Sequence, residues 1–270
     1  MFSSIRHIAI YTEHYHRTAT FYQTIFGMKK ITTGMTNEKG DYDPSRGHLS
    51  DGIIGFAFLQ RHAGIRSGLD HFGFNVEDID TVIKKLDRDY PEVRIARSLE
   101  HVPFSVMRIQ DPVGTHIDVS QKGVAKVREG YVEEGWEQPR HLKHVAIRAA
   151  KPSALAEFYR NVFQLQQMET ASEKGDICMS DGTVFILIRP CEMTSYLAMT
   201  EGLDHIGFQV EDLEKVKREV EEIGKSFPDS SPKKIDMGRF GPTTKKELEG
   251  CVLGRYATAD PDGVLVDFSE

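Results

Sequence analysis

The sequence predicts an α+β protein of two tandem domains, each built from a pair of strand-helix-three-strand (βαβββ) modules. Three observations carry that prediction. One block recurs almost unchanged, further blocks recur around it in the same order, and apolar spacing alternates between the strand period and the helical period. LDHFGFNVED at 69–78 and LDHIGFQVED at 203–212 differ at only two positions. HIAIYTEHYHRTATFYQTIFG, starting at His7, matches HVAIRAAKPSALAEFYRNVFQ, starting at His144, in pattern. SDGIIGFAFLQ from Ser50 matches SDGTVFILIRP from Ser180, and QDPVGTHIDVS from Gln110 matches ADPDGVLVDFS from Ala259. Four blocks in one order with similar spacing mean a duplicated domain.

Each element follows from local chemistry. The run from His7 to Tyr11 is short, alternating and rich in β-branched and aromatic residues, so it reads as a strand. Residues 18–26 place Phe21, Tyr22, Ile25 and Phe26 on one helical face, which makes the Phe-Tyr pair, and its counterpart Phe158-Tyr159, core rather than site. Asp51-Gly52 and Asp181-Gly182 mark hairpin turns leading into buried strands. Residues 78–86 and 212–223 are amphipathic helices with an acid in the first turn, where the helix dipole favours it. Asp111-Pro112-Val113-Gly114 and Asp260-Pro261-Asp262-Gly263 are turns by composition, each followed by an alternating strand.

Between the halves, KGVAKVREGYVEEGWEQPRH (122–141) is charged, carries three glycines and lacks apolar periodicity. It reads as a linker with one short helix around Ala125–Tyr131. The first domain is then 1–121 and the second 142–270. Trp136, the only tryptophan, is expected to pack the linker onto a domain.

Composition narrows the function. A chain of 270 residues with 39% hydrophobic residues can bury real cores. Its formal charge of −7 argues against a nucleic-acid groove or an anionic membrane surface, both of which call for a basic face. The expected partner is a small-molecule substrate. Cys178, Cys191 and Cys251 lie in the second half without metal-type spacing, which suggests a reducing, cytoplasmic setting and no disulfide framework. The N-terminal residues lack an apolar signal core, and no run reaches membrane-spanning length.

The H-x-A-I strand with its Phe-Tyr helix, the L-D-H-x-G-F-x-V-E-D block and D-P-x-G-x-x-x-D recur in both halves and span nearly the whole chain outside the linker. In these motifs the sequence resembles the vicinal oxygen chelate superfamily, which includes glyoxalase I, extradiol dioxygenases and the bleomycin and fosfomycin resistance proteins. The resemblance implies paired modules forming a half-open, U-shaped barrel around a divalent metal, and it leaves a homodimer open because such modules pair within and between chains. Carried over residue by residue, the ligands it implies are His7, His71 and Asp118 in the first half and His144, His205 and Asp267 in the second. Two imidazoles and a carboxylate leave coordination sites open on a redox-capable metal. Ala9 and Gly73, like Ala146 and Gly207, share strand faces with the histidines and leave room above a metal.

The chain departs from that pattern in three places. The last-strand ligand is normally glutamate and here is aspartate. The first-module acid of glyoxalase-type members is missing from FAFLQ and FILIR, so a three-ligand arrangement fits better than a four-ligand one. The tyrosine of the ring-cleaving members is approached by Tyr256, one residue out of register, and in the first half by Arg108.

His116 and Tyr11 share the ligand-bearing faces and are candidates for proton handling, or for packing. Asn75, Arg108, Arg148, Gln209 and Tyr256 are candidate substrate contacts. Arg148 suits a substrate carboxylate or a salt bridge to a neighbouring acid. Glu13, His14 and His16 read as surface, His62 and His101 as solvated loop histidines. The loops at 32–48 and 226–250 read as rims of a site mouth or as charged surface. Taken together, the sequence points to an iron(II) dioxygenase acting on a small oxygen-chelating aromatic or 2-oxo acid substrate, with manganese, zinc, nickel or cobalt as alternative metals. The alternatives are a glyoxalase-like lyase or isomerase and a metal-free ligand-binding protein.

Overall fold

The structure is a computed structural model that describes residues 2–31, 47–99, 102, 104–124, 135–170, 172, 174–191 and 200–270. The expected helix at 125–131, His101 and most of the 32–48 loop lie outside the described residues.

The first half opens with β1 (Ser3–Thr12), α1 (Tyr15–Phe26), β2 (Lys29–Ile31), β3 (His48–Ser50) and β4 (Gly55–Gln60). It continues with β5 (Gly68–Val76), α2 (Ile79–Asp89), β6 (Ala96–Arg97), β7 (Met107–Gln110) and β8 (His116–Gln121). The second half repeats the order with β9 (His141–Ala149), α3 (Pro152–Phe163), β10 (Gln166–Met168), β11 (Ile177–Ser180) and β12 (Phe185–Pro190). Then come β13 (Gly202–Gln209), α4 (Leu213–Ser226), α5 (Gly241–Glu249), β14 (Tyr256–Ala259) and β15 (Leu265–Ser269). Each half forms one mixed sheet of βαβββ modules, ordered β2-β3-β4-β1-β5-β8-β7-β6 and β10-β11-β12-β9-β13-β15-β14, and neither sheet closes.

The acidic end of the repeated block does more than complement a dipole. Asp78 and Asp212 are the N-caps of α2 and α4, accepting from the Asp80 and Lys215 backbone N–H groups at 3.1 and 2.8 Å. The 226–250 segment is corrected from loop to partly helical, because α5 occupies its second part with a proline in the first turn, where a missing N–H costs nothing. Among the described residues no helix is long and apolar enough to cross a membrane.

Packing divides the chain into two compact units: Met1–His7, Asp70–Tyr131 and His144–Asp204 form one, and Ile8–Leu69, Val132–Lys143 and His205–Glu270 the other. In the first unit α3 lies on strand β5, with Phe163 stacked on Phe74 at 4.0 Å between ring centres. The Tyr159 hydroxyl donates to Asp111 at 2.7 Å. In the second unit α1 lies on β13 in the same way, with Phe26 stacked on Phe208 at 3.7 Å and Tyr22 bonded to Asp260 at 3.1 Å. The Phe-Tyr pairs are fully buried core, as their spacing requires. Trp136 is half-buried in the second unit, with the Lys29 ammonium 4.7 Å above its ring.

Candidate metal centres

His7 on β1, His71 on β5 and Asp118 on β8 come together inside the first unit. Each offers a ligand-type atom, and these lie within 4.8 Å of one another. Asp118 Oδ2 is 3.6 Å from His7 Nε2 and 3.2 Å from His71 Nε2. All three side chains are buried. Local backbone geometry builds the cluster: parallel pairing of β5 with β8 sets Gly73 opposite Asp118. A Cβ at Gly73 would stand 2.0 Å from the His7 ring, so only glycine leaves that ring its place.

Two neighbours orient the cluster. Asp70 Oδ2 is 2.6 Å from His71 Nδ1, an arrangement that directs Nε2 towards Asp118. Arg108, opposite Asp118 on β7, places Nε 2.6 Å from Oδ1 and Nη2 3.0 Å from Oδ2. The guanidinium thus holds both carboxylate oxygens, and Oδ2 also faces both histidines. Burial pushes the His7 pKa down, against the raising effect of its bond to Asp118. For His71 burial also opposes the charged ring, but bonds to Asp118 and Asp70 prevail and raise its pKa. Burial would raise Asp118, yet hydrogen bonds from His7, His71 and Arg108 hold it well below the usual carboxylate range.

This donor set fits a divalent cation. It provides two imidazole nitrogens, an ionised carboxylate and a second carboxylate behind one imidazole, the outer partner that metal-bound histidines typically have. Among the described residues the group contains three donors and no further acid.

A second group of ligand-type atoms, from His205, Cys251 and Asp267, lies in the second unit, also within 4.8 Å of one another. In the second unit His205 Nε2 stands 3.4 Å from Asp267 Oδ2 and 3.8 Å from Cys251 Sγ. Of the second-half candidates, His144 is buried in the first unit, while His205 and Asp267 meet a thiol that the repeat did not suggest. Cys251 follows α5 in an insertion without a first-half counterpart, so the repeat carried no signal for it. Asp70 did carry one, an acid immediately before a proposed histidine ligand.

The remaining candidates are placed as follows. His116 is beside His71 in register and half-exposed, its Nε2 2.9 Å from the Gln110 amide nitrogen. Asn75 and Gln209 pair with Ser120 and Ser269, each two residues beyond the aspartate of its sheet. Arg148 donates to Asp204 at 3.1 Å and to the Pro190 carbonyl at 3.3 Å, both in the first unit. Asp204 corresponds to Asp70 in the repeat, so the second half uses this acid on an arginine. Tyr256 stands opposite Phe268, and it is Ala257 that faces Asp267, the place Arg108 takes against Asp118. Tyr11 lines a cavity of 1190 Å³ in the second unit together with His14, His16, His62, Phe58 and Phe227. His14 and His16 thus belong to a concave surface.

Comparisons with known proteins agree with this fold. A family model described as Glyoxalase/Bleomycin resistance protein/Dioxygenase superfamily matches residues 4–119 and again 141–268. Among solved structures, the 2,3-dioxygenase LapB from Pseudomonas sp. KL28 is 17% identical with a TM-score of 0.60, over 98% of this chain and 90% of its own. A Mn(II)-bound glyoxalase from Novosphingobium aromaticivorans is 10% identical with a TM-score of 0.63, over 99% of this chain and 81% of its own. A variant of homoprotocatechuate 2,3-dioxygenase from Brevibacterium fuscum is 12% identical with a TM-score of 0.62, over 99% of this chain and 71% of its own. A sequence search of curated proteins gives no match.

Proposed function

Because the chain belongs to the Glyoxalase/Bleomycin resistance protein/Dioxygenase superfamily, we propose that it is a metal-dependent enzyme whose active centre is the His7, His71 and Asp118 group. Its proposed reaction is oxygen-dependent oxidation of a small substrate that chelates iron(II) through adjacent oxygens. One observation carries the reading: Asp118 Oδ2 faces two imidazole nitrogens while Asp70 holds the far nitrogen of one of them. Dioxygenases and a glyoxalase among the structural neighbours support an enzyme of this class. When bound, the metal would supply a Lewis acid and a redox centre with positions open to substrate and oxygen.

The chain's own groups divide the remaining work. His7, His71 and Asp118 hold the metal, and His71 Nε2 presents it a lone pair while Nδ1–H remains on Asp70. Arg108 holds both oxygens of Asp118 and, with its side chain 37% exposed, puts positive charge at the edge of the group, which suits an anionic substrate. His116, half-exposed in register with His71, is the candidate for proton transfer at the open side. Cytoplasmic location and a homodimer are part of the proposal.

The test is anaerobic loading of metal-free protein with iron(II), followed by oxygen-uptake assays on catechols, hydroquinones and 2-oxo acids. Uptake that requires substrate and is lost in His7→Ala supports the reading. Turnover without oxygen, or with zinc or nickel in place of iron, would replace it with a lyase or isomerase. Less than about a tenth of an equivalent of bound metal, with no gain on reconstitution, would leave a ligand-binding protein.

A further inference from the structure

The cavity of 1190 Å³ in the second unit belongs to neither donor group: none of the candidate metal ligands lines it, and neither does Asp70 or Arg108. Its walls come from the turn between β1 and α1 with the start of α1, from the end of β4, and from the end of α4 with the short helical turn Pro228–Ser230. We propose that this cavity is a second small-molecule site, taking a neutral, planar ligand of two or three aromatic rings that carries a phenolic hydroxyl or a heterocyclic N–H.

The aromatic body follows from the walls. Tyr15 meets Phe58 edge to face with 5.8 Å between ring centres, and meets the His16 ring in the same way at 5.3 Å. Phe227 adds a further ring that is 45% exposed, apolar area that a bound ligand would cover. Such rings receive another aromatic system in offset or edge-to-face contact. Pockets for drug-sized ligands run up to about 1,000 Å³, so this one has room for two or three rings.

Neutrality follows from the charges. Glu13 forms a salt bridge with Arg61, and Arg17 Nη2 lies 2.6 Å from Asp262 Oδ1. Within the lining the guanidinium and this carboxylate are thus already neutralised, and Asp229, exposed on its turn, stays hydrated. A charged ligand would lose hydration here without gaining a free counter-ion. The rim offers imidazoles instead, from the exposed His14, His16 and His62. A neutral imidazole has one donor and one acceptor, which complements a hydroxyl or a ring N–H.

The walls are tied together without a ligand. Gln60 Nε2 donates to the Glu13 carbonyl at 3.2 Å, the Arg61 N–H to the Thr12 carbonyl at 2.9 Å, and the Thr12 and Thr18 hydroxyls share a bond of 2.8 Å. These bonds join β4 and α1 to the end of β1, so binding has little of the site left to order.

Fluorescence titration of metal-free, full-length protein with 2-phenylbenzimidazole tests this, because that probe is planar, uncharged near neutral pH and carries one ring N–H. Saturable one-to-one binding is expected. Phe227→Ala and His16→Ala should each weaken it about threefold to tenfold, the cost of one lost ring contact. Both positions are exposed, so these variants leave the core intact. Thr20→Trp, on the α1 wall, should fill the cavity and abolish binding. His7→Ala should bind as the wild type does. The carboxylate analogue 4-(benzimidazol-2-yl)benzoate should bind at least about tenfold more weakly, for its unpaired charge. Absence of saturable binding, unchanged affinity in Phe227→Ala and His16→Ala, or loss in His7→Ala would each overturn the site. A carboxylate analogue that binds as tightly as the neutral probe would overturn the ligand class. None of these outcomes depends on the reaction proposed for the first group, since the protein carries no metal and no turnover is measured.

Discussion

The Tyr22 hydroxyl on α1 donates to the Asp260 carboxylate at 3.1 Å, although 238 residues separate the two in the chain. The other oxygen of Asp260 accepts the backbone N–H groups of Asp262, Gly263 and Val264, all at 2.8 Å. Asp111 does the same for Val113 and Thr115 while receiving the Tyr159 hydroxyl. The aspartate of each D-P-x-G turn therefore shapes its own turn and fastens a helix to it.

Asp260 links this bond to pH. Burial, with help from neighbouring Asp262, raises its pKa to about 6 against the bonds that lower it. A raised carboxylate pKa means the folded chain keeps a proton the unfolded chain has already shed. Its contribution is fully present below about pH 4 and is lost as pH rises through about 6, by up to about 3 kcal/mol. Asp260→Asn keeps the acceptor for the turn and removes the titration. Urea unfolding at pH 4.5 and 7 should show a smaller pH difference for this variant than for the wild type.

Gly73→Ala should abolish metal binding at the first group. The new methyl must displace the His7 ring, which leaves Asp118 and His71 without their third partner. Overpacking of this kind also costs about 1–3 kcal/mol. Metal stoichiometry and chemical denaturation read the two effects separately.

Asp70→Asn should weaken metal binding at that group by roughly 10–100-fold while leaving the fold intact, because it alters the hydrogen bond that orients His71. Iron(II) or manganese(II) titration against wild type measures it. The same substitution at Asp204, which engages Arg148, should leave that affinity unchanged.

Arg140→Met should destabilise the second unit. The guanidinium binds Glu211 in two contacts of 2.8 Å, and also Glu219 and the Ile25 carbonyl. Both glutamates are about one-third exposed and can be rehydrated, so the expected loss is about 1–3 kcal/mol. Thermal unfolding at matched ionic strength checks it.

Much of this was legible before any coordinates. Repeated blocks placed His7, His71 and Asp118 on three strands, and period-two alternation put Gly73 beside His71. Other features were not. Arg108 was recognised as near the site, but its bidentate hold on Asp118 follows from antiparallel register between β7 and β8. The sequence left Arg148 open to a ligand or an acid, and the structure pairs it with Asp204. Cys251 belongs to an insertion, where comparison of the halves has nothing to compare.

By itself the sequence determined the duplication and most element types, because these depend on local periodicity and residue chemistry, and its resemblance to a family named the candidate donors. Only the tertiary structure decided which helix covers which strands. The α1 helix packs with the last module and α3 with the second, since a Phe-Tyr face specifies that it must be buried and says nothing of what buries it. It also decided that Cys251 stands beside His205, because such a meeting depends on which side chains converge in space and not on local pattern.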